Sequence, residues 1–62
     1  MISEVNQFAD SLGTTLESIE STIYRAEKIK NKEFRDKILE KLNPIRDALY
    51  EVEEMLNEWG EQ

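Results

Sequence analysis

Residues 38–59 read ILEKLNPIRDALYEVEEMLNEW, with apolar members at Ile38, Leu42, Ile45, Leu49, Val52, Leu56 and Trp59. Their spacings of 4, 3, 4, 3, 4 and 3 keep one stripe on one face of an α-helix. A half-buried strand would alternate apolar and polar residues instead. The amphipathic pattern also argues against disorder, the rival expectation for an acidic, highly charged chain.

The N-terminal half carries a second stripe: Ile2, Val5, Phe8, Leu12, Leu16, Ile19, Ile23, Ala26 and Ile29, spaced 3, 3, 4, 4, 3, 4, 3 and 3. The sequence therefore predicts two helices, at about residues 3–30 and 33–59, joined by a turn at about 31–32. Ser3 suits an N-cap and Gly60 a stop after Trp59. Asn31 suits either a left-handed end of helix 1 or the N-cap of helix 2.

Two sites interrupt the pattern locally. Asn43-Pro44 resembles a helix restart, yet Leu42 and Ile45 stay in phase, so a kink between roughly collinear segments is expected. Thr14-Thr15-Leu16-Glu17 matches a capping box after Gly13. Helix 1 is read as continuous through it; the alternative is a helix starting at Thr14 behind a short arm.

Folding helix 2 back on helix 1 aligns the stripes. Ile2 with Trp59, Val5 with Leu56, Ala9 with Val52, Leu12 with Leu49, Leu16 with Ile45, Ile19 with Leu42 and Ile23 with Ile38 all have residue numbers summing to 61. Gly13 would face Ala48, two small residues together. The expected fold is all-α, a single antiparallel helical hairpin over residues 1–62.

The apolar faces are wider than a two-helix seam needs. Phe34, Ala48 and Met55 widen the second stripe, and Ala9, Leu16 and Ile23 widen the first, giving the broad face of a bundle helix. At 62 residues the chain is also near the size where one small core struggles to offset chain entropy. Dimerisation of two hairpins into a four-helix bundle is therefore expected, with Leu16, Ile23, Phe34, Leu42, Leu49, Met55 and Leu56 as core or interface.

Charge gives that dimer a direction. The chain has 14 acids, 8 bases and a net charge of −6. Residues 1–24 hold four acids and no base; residues 25–46 hold all eight bases against four acids; residues 47–62 hold six acids. The segments carry −4, +4 and −6, so the hairpin has a basic tip and an acidic open end. Antiparallel packing of two hairpins sets each tip beside the other's open end, whereas parallel packing aligns like charges.

Composition narrows the chemistry. Without Cys there is no disulfide or thiolate metal site, and without His the Glu-x-x-His motif of bundle metal sites is missing. No Gly-rich phosphate loop or nucleophile elbow occurs. The sequence points to a non-enzymatic protein with no cofactor and no metal. Its first residues, Met-Ile-Ser-Glu-Val-Asn, have no leader pattern, and no apolar run approaches a membrane span, so a cytoplasmic location is expected.

Three features suggest partners. Asp47, Glu51, Glu54 and Glu58, with Tyr50 beside them, form a candidate protein-binding face that could also imitate a nucleic-acid backbone, as small inhibitors of phage or mobile-element type do. Lys28, Lys30, Lys32, Arg35 and Lys37 form a candidate phosphate-binding tip, with Phe34 placed to stack on a base. Trp59 is expected to cap the open end against Ile2, and Tyr24 to be half-buried in the dimer. In length and layout the chain is similar to the small RNA-binding helical hairpins of plasmids; that likeness is architectural, rests on no residue motif and carries no function. The expected function is regulation or inhibition of a partner protein by a dimeric hairpin. The alternatives are a nucleic-acid mimic, a nucleic-acid binder acting through the tip, and a structural adaptor.

Overall fold

Ser3 sets the start of the first helix. Its backbone is extended (φ −78°, ψ 161°), and its Oγ accepts a hydrogen bond from the Asn6 amide at 3.1 Å. That satisfies one of the amides a helix start leaves without a partner. From there α1 spans Glu4–Ala26 and α2 spans Lys32–Gly60, packed against each other. These elements belong to a computed structural model that describes residues 3–60. Among the described residues there is no strand, and the molecule is a rod of 49 × 18 × 12 Å.

Helix α1 runs through Gly13 without a break. Thr14 and Thr15 do not cap a new helix; their hydroxyls donate to the carbonyls of Asp10 (3.3 Å) and Ser11 (3.0 Å), as threonines do in mid-helix. Nor is α2 divided at Asn43-Pro44, since Pro44 lies inside the helix.

The turn differs from expectation. Helix α1 ends at Ala26 rather than near residue 30, and residues 27–31 form the connection. The Lys28 amide bonds Arg25 O and the Ile29 amide bonds Ala26 O, both at 3.1 Å, so the last turn tightens before the chain leaves the axis. Asn31 then caps α2, its Oδ1 accepting from the Phe34 amide at 2.9 Å. No non-glycine residue among those described has positive φ, which excludes the left-handed role for Asn31. Arg35 closes the loop by donating from Nη1 to the Ile29 carbonyl at 3.1 Å. The half-buried Ile29 thus continues the apolar spacing while serving the turn.

Grooves along the hairpin show which parts of the two helices adjoin. Val5 and Phe8 share a groove with Val52, Met55, Leu56 and Trp59. Ala9 and Leu12 meet Glu53 and Leu56, and Gly13 and Leu16 meet Tyr50 and Glu53. Val5 shares its groove with Leu56, the partner that the mirrored numbering gives it. Gly13 does not pack on Ala48; nothing lies within 4 Å of a Cβ placed on it. The pairing of Ile2 with Trp59 lies outside the described residues.

Leu12, Leu16, Ile23 and Ala26 are buried, all on α1. Among the described side chains of α2 none is fully buried. Arg35, Ile38, Leu39, Leu42, Asn43, Arg46, Leu49, Val52 and Leu56 are half-buried. They form a band that shows where α1 lies, with Ile38 and Val52 at its border.

Candidate interaction surfaces

Bordering that band on α2 is a second helical row, Phe34, Ile38, Lys41, Ile45, Ala48, Val52, Met55 and Trp59, spaced 4, 3, 4, 3, 4, 3 and 4, of which Ile38 and Val52 are half-buried and the rest exposed. Its large members are open to solvent: Phe34 is 55% exposed, Ile45 49%, Met55 66% and Trp59 58%. Phe8 of α1, itself 49% exposed, adjoins the row at the open end. A globular chain of 7.3 kDa would expose about 4200 Å². The hairpin exposes 5319 Å², and the excess of about 1100 Å² is on the scale of one side of a standard protein interface, about 800 Å².

The expected core and interface residues therefore divide. Leu16 and Ile23 are buried, and Leu42, Leu49 and Leu56 are half-buried within the hairpin. Phe34 and Met55 are on the open edge. Ile45, expected in the intramolecular seam, is largely open to solvent, whereas Trp59, also exposed, borders the groove between the helices with Val5 and Phe8. The arrangement was detectable as two parallel heptad rows offset by one residue, with the midline drawing attention first.

The acidic residues occupy the outer side of α2. Asp47, Glu51, Glu54 and Glu58 are exposed and spaced 4, 3 and 4. Asp47 pairs with Arg46 at 3.4 Å, whereas Glu51, Glu54 and Glu58 have no ion pair among the described residues. The last turn holds no base, so the ridge runs toward the negative end of the helix dipole. Tyr50 stands on another side, 43% exposed, donating to Glu20 Oε1 of α1 at 3.3 Å. Partial removal from water, then the Glu20 carboxylate, pushes its phenol above the ordinary 10.0. Tyr50 is thus tied to α1 rather than aligned with the ridge.

The basic tip is partly engaged. Lys32 bonds Asp36 at 2.8 Å, and Arg35 holds the Ile29 carbonyl while lying 3.8 Å from Asp36. The Lys32 hydrogen bond keeps the Asp36 carboxyl below its ordinary 3.8. Lys28 lies over the Tyr24 ring, 4.7 Å from its centre, and Tyr24 is 60% exposed. Lys30 and Lys37 are exposed and form no ion pair among the described residues. Phe34 lies beside them on the open apolar edge.

Among the described residues, no group of three carboxylates is placed to hold a metal ion, and no helix is long and apolar enough to cross a membrane. No family model, curated protein or solved structure matches the chain.

Proposed function

We propose that this is a non-enzymatic protein–protein interaction protein that works as a homodimeric helical hairpin and regulates or inhibits a partner protein. The observation that carries the reading is the open apolar edge of α2. A row of half-exposed Phe, Ile, Met and Trp side chains is a costly surface to leave in water. Covering it with a second hairpin gives a four-helix bundle. A kink of α2 at Asn43-Pro44 belongs to the same reading. Proline has no amide for the Glu40 carbonyl and its ring crowds that carbonyl, which bends a helix away from the proline side.

Once the edge is covered, the acidic ridge remains to meet a partner. Its three unpaired glutamates favour a cationic surface, and a nucleic-acid-binding groove mimicked by Asp47, Glu51, Glu54 and Glu58 is the second reading. Binding of phosphates at the tip is weaker, because Lys32 and Arg35 are already engaged within α2 and the turn. A cytoplasmic location is part of the proposal.

Sedimentation equilibrium at micromolar concentration should give twice the chain mass of 7.3 kDa. A folded species of 7.3 kDa at every concentration would overturn the dimeric reading. For the partner, a protein captured by the wild type should be lost by Asp47→Lys/Glu51→Lys/Glu54→Lys, which leaves Glu58 in place. Displacement by DNA would select the mimicry reading, and equal capture by this variant would remove the ridge from the function.

A further inference from the structure

The open edge of α2 has a self-complementary register, from which we infer that its occupant is the same edge of a second copy, packed antiparallel. This inference rests on the dimeric reading above. The row 34, 38, 41, 45, 48, 52, 55, 59 has the same spacing read in either direction. An antiparallel pair can therefore match Phe34 with Trp59 of the second copy, Ile38 with Met55, Lys41 with Val52 and Ile45 with Ala48, each pair summing to 93. Large side chains meet at the ends, and Ala48 makes room for Ile45 beside the two-fold axis. Every apolar member of the row gains an apolar or aliphatic neighbour, including the stem of Lys41, whose ammonium can extend toward the second copy's acidic ridge.

Charge selects this direction over the parallel one. Residues 32–46 of α2 carry five bases and three acids; residues 47–60 carry five acids and no base. Antiparallel packing opposes +2 with −5, whereas parallel packing faces like with like. Along the interface margin, Lys37 comes within two residues of the level of Glu58 of the second copy, about 3 Å along the axis and within reach of the two side chains, twice by symmetry. A parallel pair would instead set Lys41 against Lys41 within the apolar row, a buried like-charge contact with no neutralising partner.

The chain has no Cys, so Glu33→Cys supplies one spin-label site per chain. In the inferred register, residue 33 lies level with residue 60 of the second copy. The two labels then sit about 40 Å apart along the axis at 1.5 Å per residue. Electron–electron double resonance should find that distance, whereas a parallel pair brings the labels within about 20 Å. Lys37→Glu alone should weaken self-association several-fold at low salt, and adding Glu58→Lys should restore it. Ile45→Asp should weaken association roughly hundredfold while helicity is retained, since Ile45 is half-exposed in the hairpin. Ile23→Ala, a core change, should instead lower stability at every concentration.

A mass of 7.3 kDa throughout removes the dimer itself and assigns the edge to a different partner. A dimer with a short label distance, or with no recovery on charge swapping, leaves the dimer standing and overturns the antiparallel register. A dimer unaffected by Ile45→Asp overturns the assignment of this edge.

Discussion

Replacing Gly13 by Ala tests whether α1 is a single helix. The substitution adds a Cβ that meets nothing within 4 Å, at a position without positive φ, so no steric term opposes it. What remains is the backbone term. In a helix interior Ala is favoured over Gly by about 0.8–1 kcal/mol, mainly because the unfolded chain has fewer conformations to lose. A chain of 62 residues has a total stability on the order of 3–9 kcal/mol, so the gain is a sizeable fraction. At about 4–8 °C per kcal/mol for so small a domain, Gly13→Ala should raise the melting temperature by about 3–8 °C. Circular dichroism melts of both proteins at one fixed concentration measure it, with denaturant titration as a check on the free energy. An unchanged or lowered melting temperature would refute the reasoning. It would mean that the chain before Thr14 is not helical in solution, or that another chain approaches Gly13 closely.

Two other perturbations probe local contacts. Asn31→Ala removes the cap of α2 and should cost about 1 kcal/mol, with Asn31→Asp close to wild type; chemical denaturation separates them, and equal loss in both would deny the cap. Tyr50 has a raised folded pKa, so its stabilising contribution is present below the ordinary 10.0 and is lost as pH climbs through the folded value. Glu20→Gln should lower the tyrosinate titration midpoint toward 10.0 while leaving it above, because partial desolvation persists. Titration in a Tyr24→Phe background isolates the signal, and a midpoint that does not move would place Glu20 away from the phenol.

The helices were legible because their information is periodic and redundant: any few residues of either stripe suffice to identify it. The end of α1 was not, because Ile29 fits both the helical spacing and the turn, and no Gly or Pro marks the boundary. The four-residue difference at that boundary lengthens the connection to residues 27–31. The exposure of Ile45 has a different reason. A face broad enough for two neighbours does not say which edge the first one takes, and that choice depends on packing across the whole hairpin. The acidic ridge was readable as a helix face from spacing alone. Tyr50 departed from it because its hydroxyl reaches a carboxylate 30 positions away in the chain, a contact that no local pattern encodes.

The Arg35 clasp on the Ile29 carbonyl gives the rod a mechanical polarity. All four buried side chains lie from Leu12 onward toward the turn, and the shortest route between the helices is the five-residue connection they close on. Cohesion is therefore greatest at the clasp and falls toward the termini, where Val5, Phe8 and Trp59 border an open groove. The hairpin is thus clasped at residues 27–31 and open at its far end. Amide protons should exchange slowest beside the clasp and progressively faster along both arms, so whatever grips the free ends also sets how far the arms can part.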